Sequence, residues 1–260
     1  MTGTPCTPTD AGPCQYSHGM FGETCSCDNG GDAGFTWSCA FAGGRRPEGF
    51  AQSSSPAHAS AFAKYFATGA RLEAASVDAF RILRRELAAH GAPRKLLRKA
   101  SRASRDERRH ARVMRSLGRR WGAPVETPRT ATRPVRDLFA LALENAVEGC
   151  VRETYGALLA TWQAAHARDR EVRAAMSEIA REETQHASLS WEVGRWAEAR
   201  LGADMRARVV EARTRAVDAL AAELAVDPPA ELVERLGVPT AAQAGRLLTQ
   251  MVRSLRVASA

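Results

Sequence analysis

Apolar positions recur at helical spacing through most of this chain. Between Gly69 and His90, Leu72, Val77, Phe80, Leu83 and Leu87 fall on one stripe, and Gly91-Ala92-Pro93 ends that helix and starts another. The second predicted helix runs from about Pro93 to Leu117, with Leu96, Leu97, Ala100, Ala103, Ala111 and Met114 on its inward side. Gly118, Gly122, Pro124, Pro128 and Pro134 then mark a connection long enough to cross a helical bundle from end to end. A third helix is predicted over about Val135 to His166 and a fourth over about Asp169 to Arg200. Two more, near Met205 to Leu224 and Ala241 to Leu255, are joined through Pro228-Pro229 and Gly237-Val238-Pro239. The pattern predicts an all-α protein: a four-helix bundle over residues 69–200 and a helical extension over 201–260, packed outside the bundle or at a subunit contact.

The first 68 residues have a different pattern. Residues 1–44 are rich in Gly and Cys, and Thr24 to Cys27 and Phe35 to Cys39, on either side of Asp28-Asn29-Gly30-Gly31, read as strand, turn and strand. Residues 45–68, with Pro47, Pro56 and a serine run, read as a linker. Five of the six cysteines (Cys6, Cys14, Cys25, Cys27 and Cys39) crowd into the N-terminal stretch. Cys25-Ser26-Cys27 without paired C-x2-C knuckles favours two disulfides over zinc. Disulfides imply a periplasmic, cell-surface or secreted protein, with the cytoplasm as the alternative because no charged and apolar leader pattern opens the sequence. Cys150, alone on the third helix beside Gly149, is expected to be a buried free thiol.

The net charge of +8 is unevenly placed. Residues 1–56 carry two basic and five acidic side chains, a net of −3, and the remainder carries 35 basic against 24 acidic, a net of +11. Much of the excess lies on the second helix, where Arg94, Lys95, Arg98, Arg102, Arg105, Arg108, Arg109 and Arg112 are expected to point away from the apolar stripe. A solvated cationic face is the ordinary state of such a helix, so nucleic acid is not the expected partner. No apolar run approaches the ~18 residues of a membrane span.

Two Glu-x-x-His motifs carry the chemistry: Glu107-Arg108-Arg109-His110 and Glu183-Thr184-Gln185-His186. Residues three apart share a helix face, so a carboxylate and an imidazole can grip one metal ion together. One helix upstream of each motif lies a lone Glu on an apolar face, Glu73 in the first half and Glu148 in the second. Their separations from the motif glutamates, 34 and 35 residues, make the halves an internal repeat. Glu144 and Glu153 are rivals for the third-helix position; register favours Glu148, and Glu144 remains a candidate auxiliary ligand. Glu107 and Glu183 are expected to bridge two ions, Glu73 and Glu148 to be terminal carboxylates, and His110 and His186 to bind one ion each. Asp106 and Glu182 are expected to face arginines or solvent. Phe80 and Tyr155 are expected at equivalent positions of the repeat, and His90 and His166 to serve helix C-termini.

This constellation resembles the ferritin-like superfamily, especially rubrerythrin and bacterioferritin-type di-iron carboxylate proteins. Glu73 to Phe80, Asp106 to Ala111 and Glu148 to Thr154 look like segments of bacterial ferritin-like domain proteins that often carry a Cys-rich N-terminal segment. The resemblance implies two iron ions, with manganese-iron or zinc as alternatives, and oxidoreductase chemistry on dioxygen, peroxide or a small organic substrate. Metal binding without turnover is a competing reading, and a basic scaffold that binds nucleic acid or an anionic surface is a lesser one. The chain lacks the C-x2-C pairs of a rubredoxin module, so electrons are expected from a separate donor. Oligomerisation is compatible with the helical extension.

Overall fold

The computed structural model describes residues 15–18, 23–28, 36–37, 45–47, 60–123 and 134–258. Three short strands, Gln15–His18 (β1), Glu23–Asp28 (β2) and Thr36–Trp37 (β3), pair antiparallel in the order β1-β2-β3. The pairing expected of Cys6, Cys14, Cys25, Cys27 and Cys39 lies outside the described side chains.

The first long helix, α1, spans Ala61–Ala89, starting earlier than the Gly69 predicted from the aliphatic stripe. Ser60 starts it, its hydroxyl accepting from the Ala63 amide at 3.2 Å. The early turns are held by aromatic rather than aliphatic burial: Phe62 and Phe66 stack on Trp121, with ring centroids 5.1 and 4.9 Å apart. Gly91, in the left-handed region at φ 68°, makes the turn into α2, Arg94–Arg119. After the connection comes a helix in three parts. It opens as α3 (Leu138–Glu144), capped by the Asp137 side chain, winds as a π-helix over Asn145–Glu153, and resumes as α4 (Thr154–His166). Asp169 caps α5, Arg170–Glu198, its carboxylate accepting from the Glu171 and Val172 amides. Then come α6 (Ala203–Glu223), the short α7 (Ala230–Leu236) that the sequence pattern does not predict, and α8 (Ala241–Ala258).

Four helical paths cross between two apolar layers. One layer gathers Phe80, Leu83, Leu87, Leu96, Leu141, Leu189 and Val193; the other gathers Tyr65, Phe66, Met114, Leu117, Ala160, Val172 and Ile179. Going down the chain, α1 passes from the second layer to the first and α2 from the first to the second. The α3–π–α4 path also passes from the first to the second, and α5 returns. Two consecutive paths therefore run in the same sense, with Trp121 packed on the second layer and Leu138 on the first. The helical extension packs on one flank: Ala216 and Leu220 of α6 and Leu248 and Met251 of α8 cover Val151, Tyr155 and Leu159.

The two histidines near helix ends act differently. His166 donates from Nδ1 to the Trp162 carbonyl one turn back, at 2.8 Å. His90 instead pairs through Nε2 with the Arg136 carbonyl across the connection, at 2.8 Å.

Candidate metal centre

Between the two apolar layers each helical path contributes acidic or imidazole groups to one buried cluster. Two groups of four form there: Glu73, Glu107, His110 and Glu183, and Glu107, Glu153, Glu183 and His186. Within each group, one potential ligand atom per residue lies within 4.8 Å of all the others. Glu107 and Glu183, the motif carboxylates on α2 and α5, belong to both groups. His110 Nδ1 stands 3.1 Å from Glu183 and 3.6 Å from both Glu73 and Glu107. His186 Nδ1 stands 3.0 Å from Glu107 and 3.8 Å from Glu153.

Five of the six residues named from the sequence meet here; Glu148 does not. Its carboxylate accepts from the Arg46 amide at 3.0 Å and faces the Arg46 and Arg152 guanidiniums at 3.3 and 3.7 Å. Glu153, fully buried, occupies the third-helix position of the cluster. Two local facts displace the expected register. The halves are unequal, because Glu73 lies about a full turn further from the end of α1 than Glu153 lies from the end of α4. The stretch carrying Glu148 and Glu153 is also π-wound, with i→i+5 bonding, so extrapolation at 3.6 residues per turn misplaces the residues beyond its start. For the same reason Tyr155 does not match Phe80. Phe80 packs on the His186 ring at 5.1 Å, whereas Tyr155 lies under α8.

The remaining acids of this helix are held by the stretch expected to be a linker. Arg45, with 0% exposure, grips Glu144 through Nε at 2.9 Å and Nη2 at 2.5 Å, and donates from Nη1 to Asn145 at 3.2 Å. Its carbonyl accepts from the Ser76 hydroxyl at 2.9 Å. Glu144 is thus an ion-pair partner rather than a member of the cluster. No periodicity surrounds Arg45-Arg46 in the sequence, so nothing there signals a buried cation. Next to this pair, Gly149 allows the π-helix to approach α5: a Cβ at that position would stand 2.8 Å from the Ser190 hydroxyl. Cys150 is a buried free thiol, pushed up to about 12 by burial.

A second layer of acids lies outside the imidazoles. His110 Nε2 donates to Glu182 at 2.8 Å, and His186 Nε2 faces Asp106 at 3.4 Å. Asp106 and Glu182 do touch an arginine, Arg109, as the sequence predicts, but each also meets a histidine that the sequence reading does not assign to it. Residue 106 meets 186 while 110 meets 182, so α2 and α5 cross antiparallel and each motif's leading acid serves the other motif's histidine. The signal in the sequence is the acid preceding each Glu-x-x-His. With Nε2 committed outward, Nδ1 of each ring is left for the cluster.

Among the cluster's atoms, Glu73 Oε2, both oxygens of Glu107, Glu153 and Glu183, and Nδ1 of both histidines are buried without a hydrogen-bond partner. Burying an ion without compensation costs several kcal/mol, an appreciable part of the roughly 5–15 kcal/mol that stabilises a domain. Protons provide part of the compensation. Burial, reinforced by the charge of Glu107, pushes the Glu73 carboxyl well above the usual range, and burial with Glu183 and Glu107 does the same to Glu153. Burial alone would raise Glu107 and Glu183, yet the adjoining imidazoles hold both below the usual range. Burial alone would lower His110 and His186, yet the surrounding carboxylates overcome it and raise both. With carboxylate oxygens and imidazole nitrogens aimed at one another, each of the two groups of four could hold a metal ion.

The outer face of α2 exposes Arg98, Arg105 and Arg108, which have no acidic partner among the described residues, whereas Lys99 pairs with Glu192 at 2.5 Å. No described helix is long and apolar enough to cross a membrane. In comparisons with family models, with curated proteins and with solved structures, nothing matches this chain.

Proposed function

We propose that this protein is a ferritin-like di-iron carboxylate protein, an oxidoreductase that reacts with dioxygen or peroxide. The observation that carries the reading is the set of buried Glu and His atoms without hydrogen-bond partners, gathered from all four helical paths at one level of the bundle. The crossing pattern of those paths, with two consecutive ones running in the same sense, supports the ferritin-like assignment. An oxygen-rich set suits iron or manganese better than zinc, whose sites favour nitrogen and sulfur and four-coordination.

In this reading Glu107 and Glu183, common to both groups, would serve both ions, Glu73 with His110 would help hold one, and Glu153 with His186 would help hold the other. Iron bound there supplies one-electron exchange with an oxygen-containing oxidant. The chain's own groups set the environment. Asp106 and Glu182 fix the imidazole orientation, Phe80 packs against the His186 ring, and the two apolar layers keep water from either end. Anaerobic loading with ferrous iron should reach two ions per chain, and mixing with dioxygen or peroxide should produce a rapid optical change. Two bound ions with no optical change would leave a metal-binding protein without turnover, and no uptake would overturn the reading altogether.

A further inference from the structure

Arg109 lies on the helix face that the sequence pattern assigns to solvent, yet one of its nitrogens joins both outer acids. Nη2 donates to Asp106 Oδ1 at 2.7 Å and to Glu182 Oε1 at 2.6 Å. The second oxygen of each acid faces a different histidine: Asp106 Oδ2 faces His186 and Glu182 Oε2 faces His110. The side chain is 45% exposed, so this junction reaches the surface.

We propose that Arg109 is a positioning residue that couples the two halves of the metal centre, a role that rests on the two-metal reading above. Its side-chain hydrogen bonds and ion pairs go to the outer acids rather than to the inner cluster. It fixes the two acids that fix the imidazoles, so the placement of both Nδ1 atoms depends on one guanidinium. Among the described residues, two other arginines approach the same acids at longer range: Arg102 Nε lies 3.8 Å from Asp106, and Arg181 Nη2 lies 3.8 Å from Glu182. Neither spans both acids. The fork geometry of a guanidinium also gives Arg109 directional donors that a lysine ammonium would not reproduce. Because the carboxylates are reached from opposite helices, Arg109 also ties α2 to α5 at the level of the cluster.

The test uses the full chain and cobaltous ion, whose ligand-field bands report ligand geometry. Arg109→Gln is compared with Arg109→Lys and with Arg105→Gln, an exposed arginine of the same helix. Loss of a partner in the outer layer of a metal site lowers metal affinity by roughly 10- to 100-fold. Arg109→Gln is therefore expected to weaken both ions by about 10-fold or more and to alter the cobalt bands, at unchanged helicity by circular dichroism. Arg109→Lys should recover part of the affinity, and Arg105→Gln should match the wild type. If Arg109→Gln binds two cobalt ions with wild-type affinity and spectrum, or weakens only one of them, the coupling role is overturned and the two-metal reading stands. If the wild type binds no cobalt, ferrous or zinc ion, the two-metal reading falls and Arg109 with it.

Discussion

Replacing Glu153 and Glu148 in turn by Gln distinguishes two carboxylates five residues apart on one helix, and the structure gives them opposite consequences. Glu153 has 0% exposure, both its oxygens lack a partner, and its carboxyl is pushed well above the usual range. In ion-free protein a neutral amide of the same shape replaces a group already inclined to be neutral. Thermal stability should then change by no more than about 1 kcal/mol, while the affinity for one ion falls. Glu148 is the reverse case. Its side chain is 13% exposed and Arg46's is 22%. The loss therefore falls between the ~3–5 kcal/mol of breaking a buried pair and the ~1 kcal/mol or less of a surface pair, at about 2 kcal/mol. With about 2–4 °C per kcal/mol in a protein of this size, the midpoint should drop by roughly 4–8 °C, at unchanged ion stoichiometry. The Glu148 effect should also fade in acid. Burial opposes, but Arg46 and Arg152 hold the folded-state carboxyl below its ordinary 4.5. Its stabilisation is thus present above that value and lost as pH falls through the folded one. Circular dichroism melts in chelator and ion titrations of both variants make the comparison. Loss of an ion in Glu148→Gln, with two retained in Glu153→Gln, would refute the assignment of the third-helix carboxylate.

Three further outcomes can be measured on the same protein. Glu107→Ala or Glu183→Ala should abolish the two-ion stoichiometry, because each carboxylate belongs to both groups of four. Equilibrium dialysis with metal analysis reads this, and the rise in melting temperature on adding metal to the wild type should shrink with it. Metal uptake should release protons, up to about four per pair of ions, from Glu73, Glu153, His110 and His186, the groups whose folded-state values are raised. Affinity should accordingly weaken as pH falls, and a pH indicator in weakly buffered solution tracks the release. Cys150, with 0% exposure and a thiol pushed up to about 12, should resist a thiol reagent in native protein and react on denaturation.

The features legible in the sequence and those that are not divide along a physical line. Glu107 with His110, and Glu183 with His186, are fixed by i,i+3 spacing inside single α-helices, so their convergence on one face needs no knowledge of the neighbouring helices. The same holds for the first helical hairpin, whose turn is marked by Gly91-Ala92-Pro93, and for the fourth helix, read to start near Asp169. The third-helix carboxylate is a relation between helices. It depends on the unequal lengths of helix beyond Glu73 and beyond Glu153 and on nine residues of π-winding, and neither leaves a periodic trace. The outer acids lie one step further away, because the partner of Asp106 is 80 residues along the chain and is selected by an antiparallel crossing. Arg45 carries no signal of its kind at all: it sits among Gly and Pro, yet in the fold it satisfies Glu144, and its charge acts on Glu153. The two arginine–carboxylate contacts and the cluster then form one system. Arg45 and Arg46 take up Glu144 and Glu148, and of these three helix-borne acids only Glu153 turns to the centre. An internal repeat in sequence therefore specifies the motif halves of this site, and unequal helix lengths together with an arginine pair from outside the repeat decide which further carboxylate completes it.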